Sequence, residues 1–362
     1  MKPIIVSAPG RLCLFGEHMD WCRKAVLPAA VDMRVYIQAK TTDKDVVEVY
    51  SYPPYEPYSS FPASKPNIHY KGDLKYIHGV AEAFRRIGVQ LKGMEIRFLK
   101  ADEVAEELSG SSRSLVDLPV QKGLSSSAAI CVAASAAIDL LNSGKPGLPY
   151  VSSAKLGFYA DLAYTAERKI LGINCGQMDQ YASAFGGILY IDCGGEPAKV
   201  HPLKPRVPLP LVIGDTMQAK DTPRILAWLG ERFNHREPTF MEGVVNISGI
   251  VEEARREFLK LKPRIEKIGE LMNLNQHHLS RNLKVSGDCP ISPSRLDVLV
   301  EAALKAGALG AKLSGSGGGG AMVALCNPED VGKVAEAIEH AGGKTYITKI
   351  AETGVRTEKP SS

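Results

Sequence analysis

The 362-residue sequence is poor in several things, and each shortage removes a class of function. Its seven cysteines (Cys13, Cys22, Cys131, Cys175, Cys193, Cys289 and Cys326) are odd in number and include no Cys-x-x-Cys pair, which argues against a zinc ribbon or a thioredoxin-like motif. They read as reduced, mostly buried thiols of a cytosolic protein. Nowhere do eighteen apolar residues follow one another without a charge, so no membrane span is expected. The apolar run in MKPIIVSAPG is too short for a signal peptide, and a soluble cytoplasmic protein is the expectation. Lys and Arg are dispersed and the net charge is only +4, with no basic stripe interleaved with aromatics, which excludes nucleic acid as the expected partner. Neither an internal repeat nor a Gly-x-x-x-x-Gly-Lys-Ser/Thr loop occurs.

What is there reads as an ordinary globular chain, 44% hydrophobic and 23% charged, long enough for two lobes. Residues 3–50 alternate short β-rich runs (PIIVSA, LCLFG, RVYIQA, VVEVY) with turn residues, which suggests an antiparallel or mixed sheet. Helical patterns follow at 73–86, 124–141 and 154–171, with strand-like runs GMEIRFLKA and GGILYIDC between and after them. The proline-rich stretch HPLKPRVPLPLV marks a passage from a first lobe, 1–200, to a second, 201–362. The second lobe reads as helices at 223–233, 249–261 and 292–308, a glycine loop, a strand AMVALC, a helix at 331–340 and a closing strand TYITKI. The fold class is α+β in two lobes.

Three stretches carry chemistry. In VQKGLSSSAAICVAASAAIDLL, Gly123 ends an extended segment, and Ser125, Ser126 and Ser127 occupy the first turn of an almost purely apolar helix. Unpaired backbone N–H groups and the positive end of the helix dipole meet there, so an anion is expected. In KLSGSGGGGAMVAL, five glycines stand among the six residues 315–320. Gly315, Gly317 and Gly320 match G-x-G-x-x-G in letters, but the loop follows a helix and opens a strand, the reverse of the dinucleotide motif. A loop whose backbone can approach a phosphate closely is what remains, centred on Gly315, Gly317, Gly318 and Gly319. In AERKILGINCGQMDQYAS, Glu167 lies near a helix end and Asp179 follows in a Gly-flanked loop, a pair suited to Mg²⁺ coordination and hydroxyl activation.

Together these stretches resemble the small-molecule kinases named for galactokinase, homoserine kinase, mevalonate kinase and phosphomevalonate kinase. The opening PGRLCLFGEHMDW is most similar to the galactokinase branch, in Pro9-Gly10-Arg11 and in Gly16-Glu17-His18-Met19-Asp20-Trp21. Cys175 to Gln180, CGQMDQ, is likewise similar to that branch, whereas LMNLNQHHLSRNLKVS and AKLSGSGGGG look closer to mevalonate kinases. The sequence departs from the galactokinase pattern at Cys13, at Trp21 and at Gln121-Lys122, and it has no tyrosine between Tyr190 and Tyr346.

The resemblance implies a two-lobed fold with its site in the cleft, and ATP with Mg²⁺ as cofactors. It implies transfer of the γ-phosphoryl group to a hydroxyl, with a sugar in the galactokinase manner as the first expectation. Asp179 would act on that hydroxyl as base or orienter, and Arg11 would stabilise Asp179 and the charge on the phosphoryl group. Glu167 with Ser126 or Ser127 would hold the metal. Glu17, His18, Asp20 and Gly176 would meet the acceptor, and Gly123, Ser125, Ser126 and Ser127 would wrap the phosphates beside the glycine loop. Lys122 could add a charge. Another sugar or a uronic acid, mevalonate, a decarboxylase of the same fold and a non-catalytic sugar sensor stay open; His277-His278 reads as helix surface.

Overall fold

The computed structural model describes residues 2–108, 115–119, 123–145 and 152–359, so Gln121 and Lys122 lie outside the described residues. The strands are β1 (Ile4–Phe15), β2 (Ala25–Thr41), β3 (Val46–Tyr50), β4 (Tyr58–Pro62), β5 (Met94–Leu99), β6 (Ile188–Asp192), β7 (Lys199–Leu203), β8 (Leu211–Asp215), β9 (Gly310–Ser314), β10 (Ala321–Leu325), β11 (Lys344–Thr348) and β12 (Arg356–Glu358). The helices are α1 (Lys75–Arg86), α2 (Ala101–Glu107), α3 (Ser126–Ser143), α4 (Ser153–Tyr164), α5 (Met178–Phe185), α6 (Thr222–Asn234), α7 (Pro238–Phe258), α8 (Ile265–His278), α9 (Leu296–Lys305) and α10 (Val331–His340). Short π-helical turns, Thr165–Ile170 and Leu279–Leu283, continue α4 and α8.

The α+β class expected from the sequence holds, with two sheets. The larger runs β12-β1-β2-β5-β3-β4, with β6 and β7 branching from β2, and the smaller runs β11-β8-β10-β9. β2 serves both branches: Ala25 pairs with Asp192 of β6 while Tyr36 pairs with Leu99 of β5. The runs PIIVSA and LCLFG are one strand, bulged between Pro9 and Gly10. β8 rises within the proline-rich passage, β7 still belongs to the larger sheet, and the chain returns to that sheet at β12.

Alanines at six positions of SSAAICVAASAAIDLLNS let α3 lie close against β1 and β2, walled by α1, α4 and α5. By length and composition α3 could cross a membrane, but 72% of it is buried inside the fold. Asp179 sits not in a loop but in the first turn of α5, because MDQYASAF buries one face against β1 and α4.

Where the lobes meet, the structure buries an ion pair. Lys312 of β9 donates to the Glu17 carboxylate, to Cys13 O at 3.1 Å and to Leu313 O at 2.6 Å. Both side chains are essentially inaccessible, and burial holds the Glu17 carboxyl above the usual range although Lys312 opposes the shift. Gly16 N donates to Asn275 Oδ1 at 3.0 Å and Cys13 N to Ser314 Oγ at 3.1 Å alongside. Glu17, expected at the acceptor, is thus committed to the seam between lobes. Lys312→Met strands a buried carboxylate and is expected to cost about 3–5 kcal/mol, whereas Lys312→Met with Glu17→Met should recover most of that loss. Denaturant unfolding checks both; a double variant as unstable as the single one contradicts the assignment.

Candidate active site

The centre of the site is built from β1, the start of α3 and the start of α5. Arg11 on β1 is buried, and its Nε donates to Asp179 Oδ1 at 2.7 Å while Nη1 donates to Gly123 O at 2.9 Å. Its own backbone N–H donates to Leu124 O at 3.1 Å, which fixes the serine loop against the strand. Ser125 stands at φ 59°, a conformation that costs a non-glycine residue energy. That turn sends its hydroxyl to Asp179 Oδ2, 2.6 Å away, instead of capping α3. The first N–H groups of α3 are left facing the cleft, where an anion would satisfy them.

Ser127 and Glu167 also meet. The Ser127 hydroxyl bonds the Glu167 carboxylate, and Gln180 Nε2 donates to Glu167 Oε2 at 2.5 Å. Burial is the main cause that lifts Glu167 to about 7, with the charge of Asp179 adding to it. Tyr76 of α1 completes this corner through a hydrogen bond with Ser127. Among the described residues no group of three or more His, Cys, Asp or Glu side chains forms a ready metal cage.

The glycine loop joins β9 to β10 and lies against the serine loop. A methyl group placed on Gly315 would stand 3.5 Å from Gly123 O. Gly317 sits at φ 80°, and any Cβ there would come within 2.3 Å of Val285 O, so no other residue fits. Beside the loop lies Lys220, which the sequence reading passed over. Its Nζ would be 2.7 Å from a Cβ on Gly320 and 3.8 Å from one on Gly315. Burial, then the nearby charge of Arg11, lowers it to about 8 against the opposing pull of Asp215 and Asp179. The one signal in the sequence was a lysine just after a buried strand and before a helix opened by Thr222-Pro223.

The acceptor side carries Asp20, packed on Gly176 so closely that a Cβ there would stand 2.0 Å from Asp20 Oδ2. Burial and the charge of Asp179 raise Asp20 to about 6. Both nitrogens of His18 are engaged: Trp21 Nε1 donates to Nδ1 at 3.2 Å, which leaves Nε2–H to donate to Ser316 O at 3.2 Å. Burial lowers His18 to about 4, so the ring is neutral at physiological pH. A cavity of about 400 Å³ opens beside Asp20 and Gly176. His277 and His278 end α8, with His278 Nδ1 2.9 Å from Asn282 Oδ1.

This geometry brings Arg11, Gly123, Ser125, Ser127, Glu167, Asp179 and the glycine loop into one cleft. Comparison with known proteins gives the same grouping. Residues 75–187 match the model for the GHMP kinases N terminal domain, 252–344 that for GHMP kinases C terminal, and 1–41 the galactokinase galactose-binding signature. A mevalonate kinase of Thermococcus gammatolerans is 32% identical over 360 residues, 98% of each chain. The chain belongs to the GHMP kinase family. A galactokinase of Pyrococcus furiosus is 26% identical over 93% of each chain. The crystal structure of Lactococcus lactis galactokinase complexed with galactose superimposes with a TM-score of 0.76 at 22% identity, covering 98% of this chain and 95% of that one.

GHMP kinases use ATP, and in this one Lys220 is a buried cation beside the glycine loop, which itself lies against Gly123 of the serine loop. Since its ammonium is charged below about 8 and neutral above, kcat/KM for ATP should fall as pH rises through that value. Lys220→Arg should remove the fall, because a guanidinium stays charged. Lys220→Met should lower kcat/KM for ATP roughly ten- to a hundredfold, the worth of a charge-assisted hydrogen bond of about 1.5–3 kcal/mol. Steady-state kinetics over pH 6–10 reads all three, and identical profiles for wild type and Lys220→Met would remove Lys220 from the site.

Proposed function

We propose that this protein transfers the γ-phosphoryl group of ATP to a hydroxyl of a small polyhydroxylated acceptor of the sugar or hydroxy-acid type. The observation that carries the reading is the double grip on Asp179, by Arg11 at 2.7 Å and Ser125 at 2.6 Å, between the phosphate-facing loops and the cavity beside Asp20.

The residues fit a divalent cation with the nucleotide. Glu167 is a buried carboxylate with hydrogen bonds from Gln180 and Ser127 but no ion pair among the described residues, and its raised pKa is the mark of a missing positive charge. Glu167 and Ser127 would hold Mg²⁺, with phosphate and water oxygens supplying the other positions that this ion requires. When bound, the metal neutralises charge on the phosphates and lines up the transfer.

The chain's own residues do the rest by positioning and electrostatics. Asp179 accepts a hydrogen bond from the acceptor hydroxyl and points its oxygen at the phosphorus; as a weak base it takes the proton late, when bonding to phosphorus has acidified the hydroxyl. Arg11 keeps Asp179 oriented and leaves positive charge beside the equatorial oxygens. Asp20 accepts from, or when protonated donates to, another acceptor hydroxyl, since its pKa near 6 keeps both forms within reach. Ser126, the first residue of α3, contributes backbone N–H to the phosphate cradle.

Phosphorylation of mevalonate is the second reading, favoured by the mevalonate kinase likeness along nearly the whole chain. The match of residues 1–41 to the galactose-binding signature favours a sugar. An ADP-release screen over galactose, N-acetylhexosamines, arabinose, uronic acids, inositol and mevalonate separates them. Asp179→Ala is expected to retain binding of ATP with Mg²⁺ yet turn over the best acceptor at least ~100-fold more slowly, within the span for loss of an acid/base group. Undiminished turnover would exclude Asp179, and no ADP release with any acceptor would overturn the kinase reading.

A further inference from the structure

The cavity beside Asp20 and Gly176 is also lined by Arg23 and Arg168. Arg23 follows the acceptor motif directly and is held at φ 58°, while Arg168 comes from the π-helical turn that presents Glu167. Sequence reading assigned nothing to either.

Arginines on a surface are usually paired or solvated, so their partners decide the matter. Besides Asp20, the one carboxylate lining the cavity is Glu196, and Lys169 takes it at 2.9 Å with Tyr164 Oη donating at 3.2 Å. Arg23 reaches Glu196 only as a minor, more distant charge. Arg168 Nη1 donates to the neutral amide oxygen of Asn174, which orients the guanidinium without neutralising it. Among the described residues neither Arg23 nor Arg168 forms an ion pair with a carboxylate. Two guanidiniums therefore line one cavity with no carboxylate paired to either among the described residues. A neutral polyol would need only hydrogen-bonding groups there, and those are supplied more cheaply by amides and hydroxyls. The planar fork of arginine matches a carboxylate or a phosphate monoester.

We infer that the acceptor carries an acidic group, a carboxylate or a phosphate ester, and that Arg23 and Arg168 hold it while its reacting hydroxyl lies at Asp179. The inference rests on the kinase reading for the identity of the bound molecule as acceptor. A cavity of about 400 Å³ takes a molecule of six or so carbons, with room for an acid at the arginines and a hydroxyl at Asp20.

The test pairs acceptors that differ only in the acid. ADP release is measured with full-length protein, ATP and Mg²⁺ for galacturonate against galactose, for mevalonate against 3-methylpentane-1,3,5-triol, and for galactose 6-phosphate against galactose. The acidic member of at least one pair should have the higher kcat/KM, by roughly tenfold or more, the scale of one charge-assisted hydrogen bond. The preferred pair tells a carboxylate from a phosphate ester. In Arg168→Gln and Arg23→Gln, both at exposed side chains whose loss leaves the core intact, that acid-to-neutral ratio should fall at least ~10-fold, chiefly through KM. Arg168→Lys should recover part of it. A preference for the neutral member in every pair, or equal losses on both members in the variants, overturns the inference. Calorimetric titration of galacturonate, mevalonate and galactose 6-phosphate into Asp179→Ala keeps the two readings apart. Binding that Arg168→Gln abolishes supports the arginine site even if no acceptor is phosphorylated, in which case only the kinase reading falls. Absence of binding by all three acids overturns the arginine site.

Discussion

Three carboxylates, Asp20, Asp179 and Glu167, converge on one buried cleft, and among the described residues Arg11 is the only cation hydrogen-bonded to any of them. That crowding governs the rest of the site. Asp179 keeps the guanidinium, and Asp20 and Glu167 are left to burial and to the charge of their neighbour, which pushes both upward. A protein that needed only stability would not collect acids in this way, because each uncompensated charge in a low-dielectric setting is costly. The arrangement makes sense when cations and hydrogen-bond donors arrive from outside: a metal at Glu167 and hydroxyl groups at Asp20 and Asp179. Lys220 on the opposite wall has the mirror-image problem, a cation lowered by burial and by Arg11, and phosphate oxygens would resolve it.

The backbone carries a matching strain. Ser125 at φ 59° is a strained conformation for a residue with a side chain, and the glycines between Gly315 and Gly320, free to take φ > 0, cost entropy to hold in one shape. Arg11 holds the first through Gly123 O and the N–H bond to Leu124 O. The second is pinned at Gly318, whose N–H donates to Val285 O at 2.7 Å, and at Ser316 by His18. Both loops are therefore shaped before any ligand binds, and less of the binding energy goes into ordering them.

Much of this centre was legible from local sequence. A serine cluster opening an apolar helix, a glycine run opening a strand, and an aspartate twelve residues after a glutamate are all features that one segment displays by itself, whereas the helix expected to lead into that glycine run ends at Lys305 and the strand β9 stands between them. What was not legible depended on distant partners. Glu17 reads as a substrate ligand until Lys312 is brought to it from 295 residues away, and nothing near Glu17 announces that lysine. Lys220 looks like any loop lysine until the glycine loop is folded across it. Helix α5 was missed because its eight residues are flanked by glycines and gain their helicity from packing on β1 and α4, not from propensity. β12 was missed because a three-residue strand has no periodicity to read, and only its register with β1, Ile5 opposite Glu358, reveals it.

The acceptor motif does two jobs at once, and this limits what can be inferred from it. Of its polar residues, Glu17 is spent on Lys312 of β9, and His18 is spent on Trp21 and on Ser316 of the glycine loop. Only Asp20 faces the cavity. A motif match over residues 16–21 is therefore as much a record of how the lobes are fastened as of what is bound. The residues free to distinguish one acceptor from another lie around it, at Arg23, Arg168 and the cavity wall. In this chain the residues that fasten the lobes, Glu17 and His18, and the residue that lines the cavity, Asp20, are neighbouring but different residues, so a change in one role need not disturb the other.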